Sequence, residues 1–152
     1  VISASSELES VPVTAKRNGW FQTKCPDLEF FMIRLLHVED DPDIREIAKL
    51  SLELSGDLKI VQCVCGPDAI AQLAVFTPDV LLLDMMMPWM TGKETLGRIR
   101  EIDQYKEIPA IFMTARAQLS QMDELRAAGA AHVISKPFDP MALGDQIKKA
   151  MG

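Results

Sequence analysis

Val80-Leu81-Leu82-Leu83-Asp84 sets four aliphatic side chains in a row and closes them on a carboxylate, with Pro88 soon after. A strand with one wet face alternates polar and apolar residues, whereas a strand apolar at every position needs cover on both faces. The same grammar recurs outward from this run. Ile33 to Val38, Lys59 to Val64, Ala110 to Thr114 and His132 to Ser135 read as further short strands. Between them the apolar residues fall at helical spacing. Pro42 to Leu54 places them at Ile44, Ile47, Ala48, Leu50, Leu52 and Leu54; Pro67 to Phe76, Thr91 to Ile102, Leu119 to Ala128 and Pro140 to Ala150 complete the set. Five strand-helix units predict an α/β fold in which helical crossovers cover both faces of a parallel sheet.

Composition narrows the class. The chain has 152 residues, 48% of them hydrophobic, enough for one packed domain and against disorder as the overall state. Sixteen basic against twenty-two acidic residues leave a formal charge of −6, which argues against direct nucleic-acid binding and against a grip on anionic membranes. The longest apolar run, Pro78 to Pro88, is broken by Asp79 and Asp84, well short of the ~18 residues a bilayer requires, so no membrane insertion is expected. Three cysteines form no closed disulfide set, and Cys63 and Cys65 stand one residue apart, on one face of the second strand as buried thiols. A reducing cytoplasm fits.

Residues 1–31 read differently, with Ser3, Ser5, Ser6, Ser10, Pro12, Asn18, Gly19 and Pro26 and no sustained periodicity. They are expected to be an N-terminal tail or upstream-derived sequence, partly packed through Trp20, Phe21, Phe30 and Phe31, with 32–152 as the domain.

In a parallel sheet the site lies beyond the carboxyl ends of the strands, and that rule acts as a filter. It selects Glu39, Asp40 and Asp41 after the first strand, Asp84 ending the third, Thr114 ending the fourth, and Lys136-Pro137 ending the fifth. Converging carboxylates repel unless a cation sits among them, and hard oxygen ligands suit Mg2+, with Mn2+ as a substitute. Asp40 is the expected direct ligand and Glu39 the water-mediated one. Cation, ammonium and hydroxyl aimed at one point are what a phosphoryl group requires, with Asp84 on the most buried strand as the nucleophile. Plainer roles compete elsewhere. Asp41 and Asp43 suit helix capping, His37 and His132 suit packed or hydrogen-bonded strand positions, Met85 to Met87 suit adaptable packing, and Arg45 suits surface pairing. Trp89, if exposed, suggests contact with a partner or the tail.

Val38-Glu39-Asp40-Asp41-Pro42, Leu83-Asp84 through Pro88-Trp89-Met90-Thr91-Gly92, Ile111-Phe112-Met113-Thr114-Ala115, and Ala128-Gly129-Ala130 through Lys136-Pro137-Phe138 resemble the receiver domain of two-component response regulators, from Met32 to Met151. The resemblance implies a CheY-like, flavodoxin-like doubly wound sheet in the order 2-1-3-4-5. It implies that Asp84 takes a phosphoryl group from a histidine kinase or histidine phosphotransfer protein. Mg2+ would be held by Asp40, Glu39, Asp84 and the Met86 carbonyl; Thr114 and Lys136 would bind phosphoryl oxygens. Ala115 would leave room, and Lys136-Pro137 would be cis. The family's switch places an aromatic where this chain has Val133, leaving the loop of Arg116, Ala117 and Gln118 as a route to an unknown downstream protein partner. The helix 4, strand 5, helix 5 face is the family's common contact surface, and a homodimer is compatible with it.

A haloacid-dehalogenase-like phosphohydrolase wants a second aspartate where Met86 stands, and a flavodoxin-like cofactor module wants a phosphate-cradling loop where Glu39-Asp40-Asp41 would repel phosphate. A degenerate receiver that binds partners without phosphorylation stays open, as does the choice between a stand-alone receiver and one excised from a longer protein.

Overall fold

The computed structural model describes residues 32–115 and 120–152. The strands are β1 (Ile33–Val38), β2 (Leu58–Cys63), β3 (Val80–Asp84), β4 (Ala110–Ala115) and β5 (Ala130–Lys136). The helices are α1 (Pro42–Glu53), α2 (Gly66–Gln72), α3 (Gly92–Arg100), α4 (Met122–Ala127) and α5 (Leu143–Ala150), with a short 3-10 turn at Asp103–Tyr105. All ladders are parallel and the sheet order is β2-β1-β3-β4-β5, the expected doubly wound arrangement. The tail expected at 1–31, the readout residues Arg116 to Gln118 and the start of the fourth helix at Leu119 lie outside the described residues.

Strand alternation sorts the core into two layers. Leu36, Val38, Leu81, Leu83 and Phe112 face Ala69 of α2, Leu96 and Ile99 of α3 and Leu125 of α4. Leu35, Leu82, Ile111, Met113 and Ile134 face Ala48 and Leu52 of α1 and Leu143 and Ile147 of α5. β3, at the centre, is buried along its whole length, which is why its sequence carries no alternation.

Local chemistry sets the helix starts. Asp41 accepts from the Asp43 and Ile44 amides at 2.9 and 3.2 Å, and Pro42, whose missing N–H costs nothing there, opens α1. At α3, Thr91 accepts from Glu94 N while Glu94 accepts from Thr91 N, a reciprocal box.

Several expectations shift. β5 starts at Ala130 rather than His132 because ladder pairing with Ala110 extends it past its apolar run. α5 starts at Leu143 rather than Pro140, since Asp139 accepts from the Met141 and Ala142 amides in a preceding turn. α2 ends at Gln72, and Leu73 to Val75 continue as turns. β2 stops at Cys63, so Cys65 caps α2 instead of sharing a strand face with Cys63, although both thiols are buried. His132 is exposed on the sheet's edge rather than packed. No helix among the described residues is long and apolar enough to cross a membrane.

Candidate functional site

The carboxyl ends of β1, β3 and β5 bring their polar residues to one point. Lys136 Nζ donates to Glu39 Oε2 at 2.7 Å and to Asp84 Oδ1 at 2.9 Å. Glu39 is buried, as is Asp84, while Asp40 beside them is exposed. Ligand oxygens from all three carboxylates lie within 4.8 Å of one another. They border a pocket of about 230 Å³ lined by Glu39, Asp40, Asp41, Ile44, Asp84, Met86, Ala115 and Lys136.

The backbone around the pocket is held from several sides. Glu39 N donates to the Cys63 carbonyl, Asp41 N donates to Glu39 Oε1 at 3.2 Å, and Met85 N donates to the Met113 carbonyl. Met86 N reaches Asp84 Oδ1 at 3.4 Å, while its side chain stands in solvent. Gly92 packs so closely behind Asp84 that a Cβ there would run into the Asp84 carbonyl oxygen.

Three carboxylates against one ammonium leave surplus negative charge. Burial, and then the charge of Asp84, push the Glu39 carboxyl above its ordinary range despite Lys136. Asp84 is raised too, by burial first and then by Asp40, again against the pull of Lys136. Burial works against the Lys136 ammonium, but its hydrogen bonds to Glu39 and Asp84 outweigh that and raise its pKa. An acidic oxygen cluster poised in this way fits a hard divalent cation, whose charge would replace protons as the compensation.

Of the residues singled out from sequence, Glu39, Asp40, Asp84, Lys136 and Met86 meet in the pocket. Thr114 is fully buried at the end of β4, one residue before the lining, with its hydroxyl 3.5 Å from the Ala115 carbonyl oxygen. Asp41 caps α1 and also lines the pocket. The Lys136-Pro137 peptide is cis. His37 is packed, as expected, with Nδ1 2.9 Å from Gln62 Nε2; burial first, then Lys136 and Arg45, push it down to about 3.

Periodicity did not point to Arg45 as part of the loop's support. Its Nη1 donates to the Glu39 and Asp40 carbonyls. Gln62 also escaped notice, although an amide inside the apolar strand Leu58–Cys63 was a signal in plain view.

Comparison with known proteins agrees with this architecture. Residues 35–148 match the family model described as the response regulator receiver domain. The response regulator Rre1 of Synechocystis sp. is 34% identical over 108 residues, which cover 71% of this chain and 47% of that protein. The phosphate regulon transcriptional regulatory protein PhoB of Escherichia coli is 34% identical over 120 residues, covering 78% of this chain and 51% of that protein. The chain thus spans about half the length of these two relatives. Among solved structures, the chemotaxis response regulator CheY4 of Vibrio cholerae superposes with a TM-score of 0.72 at 28% identity, over 78% of this chain and 98% of that one. A response regulator from Chloroflexus aurantiacus gives 0.73, also at 28% identity, over 79% and 98%. Sheet order, pocket position and these matches agree: the chain belongs to the response regulator receiver domain family.

Proposed function

We propose that Asp84 is a phosphoacceptor, taking a phosphoryl group from the phosphohistidine of a histidine kinase or histidine phosphotransfer protein. The observation that carries this reading is the pairing of a buried Asp84 carboxylate with Lys136 Nζ at 2.9 Å, inside a pocket that also holds Glu39 and Asp40. Asp84 Oδ attacks phosphorus; the P–O bond forms as the P–N bond breaks, and the departing imidazole keeps the electron pair. Lys136 is already aimed at the reacting oxygen and turns to a phosphoryl oxygen as charge moves outward. Thr114 supplies a hydroxyl to another oxygen once it turns from the Ala115 carbonyl. Ala115, with no side chain beyond Cβ, leaves space for the group.

Asp40, Asp84 and the Met86 carbonyl would hold Mg2+ directly and Glu39 through water, and the ion would supply neutralisation of the phosphoryl charge. Burial of Asp84 fixes its oxygens before reaction. Transfer shifts the population of states that a downstream protein reads; Val133, a β-branched residue packed against the α2-α3-α4 layer, has no ring to swing, so the readout does not run through an aromatic at that position. The cytoplasm is the compartment this reading requires.

The test is intact mass after incubation with acetyl phosphate and Mg2+. A gain of one phosphoryl mass, lost in Asp84→Asn and without metal, is the expected result. No gain with this donor or with a phosphorylated histidine phosphotransfer protein, under conditions that label a receiver of known activity, turns the reading to an interaction module that works without phosphorylation.

A further inference from the structure

Two side chains outside the acid pocket hold the loop that carries Glu39 and Asp40. Arg45, in α1, reaches back over that loop: Nη1 donates to the Glu39 carbonyl at 2.9 Å and the Asp40 carbonyl at 3.3 Å. Gln62, on β2, holds the same arginine from the sheet side. Its Nε2 donates to the Arg45 carbonyl at 2.7 Å and to His37 Nδ1 at 2.9 Å. An amide nitrogen only donates, so His37 Nδ1 is the acceptor and the imidazole is neutral with its proton on Nε2. The sheet therefore fixes α1, and α1 fixes the loop.

Fixing a carbonyl fixes its peptide plane, and with it the direction in which neighbouring Cβ atoms point. Glu39 has other supports, since its amide donates to Cys63 and its carboxylate accepts from Lys136 and Asp41 N. Asp40 is exposed, and the Arg45 bond to its carbonyl acts on the peptide plane that follows it.

We propose that Arg45 is a positioning residue for the cation site, holding the Glu39 and Asp40 peptide planes so that both carboxylates face the pocket, with Gln62 bracing it. This rests on the reading of the pocket as a cation site. The sign of the effect separates it from simple electrostatics. A guanidinium beside a dication repels it, so loss of the charge alone would tighten Mg2+ binding. Loss of the positioning contact weakens it, because groups behind metal ligands typically set roughly ten-fold of affinity.

The experiment is calorimetric titration of Mg2+ into the wild-type chain, Arg45→Met and Arg45→Lys, each with a metal-free unfolding curve. The expected result is Arg45→Met about ten-fold weaker than wild type, and Arg45→Lys, which keeps the charge and one donor group, in between. Arg45→Met binding as tightly as wild type or more tightly overturns the inference, as does a loss of metal-free stability with unchanged affinity. If Arg45→Met does not fold, Arg45→Lys decides, and wild-type affinity in that variant overturns the inference. A wild-type chain that binds no Mg2+ removes the reading of the pocket itself, and the inference with it.

Discussion

Trp89 bears two costs at once. It has a φ of 67°, in the left-handed region that side chains beyond glycine rarely adopt, and 86% of its surface is exposed. Trp89→Gly is therefore expected to raise the urea midpoint, by about 1 kcal/mol of relieved strain. A lower midpoint would mean that the ring contributes packing which its exposure hides. Buried charge makes a second prediction at this scale. His37 titrates near 3 in the fold and near 6.5 when unfolded, so its contribution is complete above 6.5 and is lost as pH falls toward 3. Glu39 runs the other way. Its folded pKa is raised, so the unfolded chain gives up that proton first, and stability falls as pH rises above the ordinary carboxylate range. Between about pH 5 and 6.5 the two slopes oppose, each at most about 1.4 kcal/mol per pH unit. Metal-free His37→Asn should then lose stability with rising pH and Glu39→Gln should gain it. Urea melts across that window check both signs, and parallel profiles would refute the assignment.

At the scale of the element, α3 holds a matched pair of glycines. Nothing lies within 4 Å of a Cβ built at Gly97, and a helical glycine there wastes backbone entropy. Gly97→Ala is expected to stabilise by about 1 kcal/mol. Gly92→Ala drives its Cβ into the Asp84 carbonyl and is expected to cost about 1–3 kcal/mol and to weaken Mg2+ binding, since the displaced backbone carries Asp84. Thermal melts with and without Mg2+ distinguish the two. What sequence could show also divides along element lines. Pro42 and Asp41 marked the start of α1 because capping is written in adjacent residues. The late start of α5 was hidden because Asp139 organises its own turn ahead of the helix. β5 was read short because Ala130 owes its place to pairing with Ala110 of β4 rather than to apolar pattern, and Ala131 sits at the register shift that follows. The pocket residues were legible because sheet topology sends strand ends to one edge. Gln62 was visible as an amide in an apolar strand, but its partners, like those of Arg45, depend on which groups lie within reach after folding.

For the whole molecule, the pocket gathers like charges at a cost in stability. Asp84 is buried with a raised pKa beside Glu39 and Asp40, so its charge opposes folding when no cation is present. Asp84→Asn is expected to melt above the wild type in metal-free buffer and to lose most of the increment that Mg2+ gives the wild type. A lower melting temperature for the variant would show that the Lys136 bond outweighs the repulsion. The three fixed groups also come from the first, third and fifth strands, and Glu39 and Lys136 are separated by 97 positions in the chain. Every ladder is parallel, so no pair of strands can zip from a tight turn, and each pairing must close a long loop. During synthesis the acid cluster consequently emerges without its ammonium and gains it only when the last strand docks. A nascent or partly folded chain therefore lacks the geometry that the proposed phosphoacceptor needs, and a competent pocket doubles as a certificate that folding has finished.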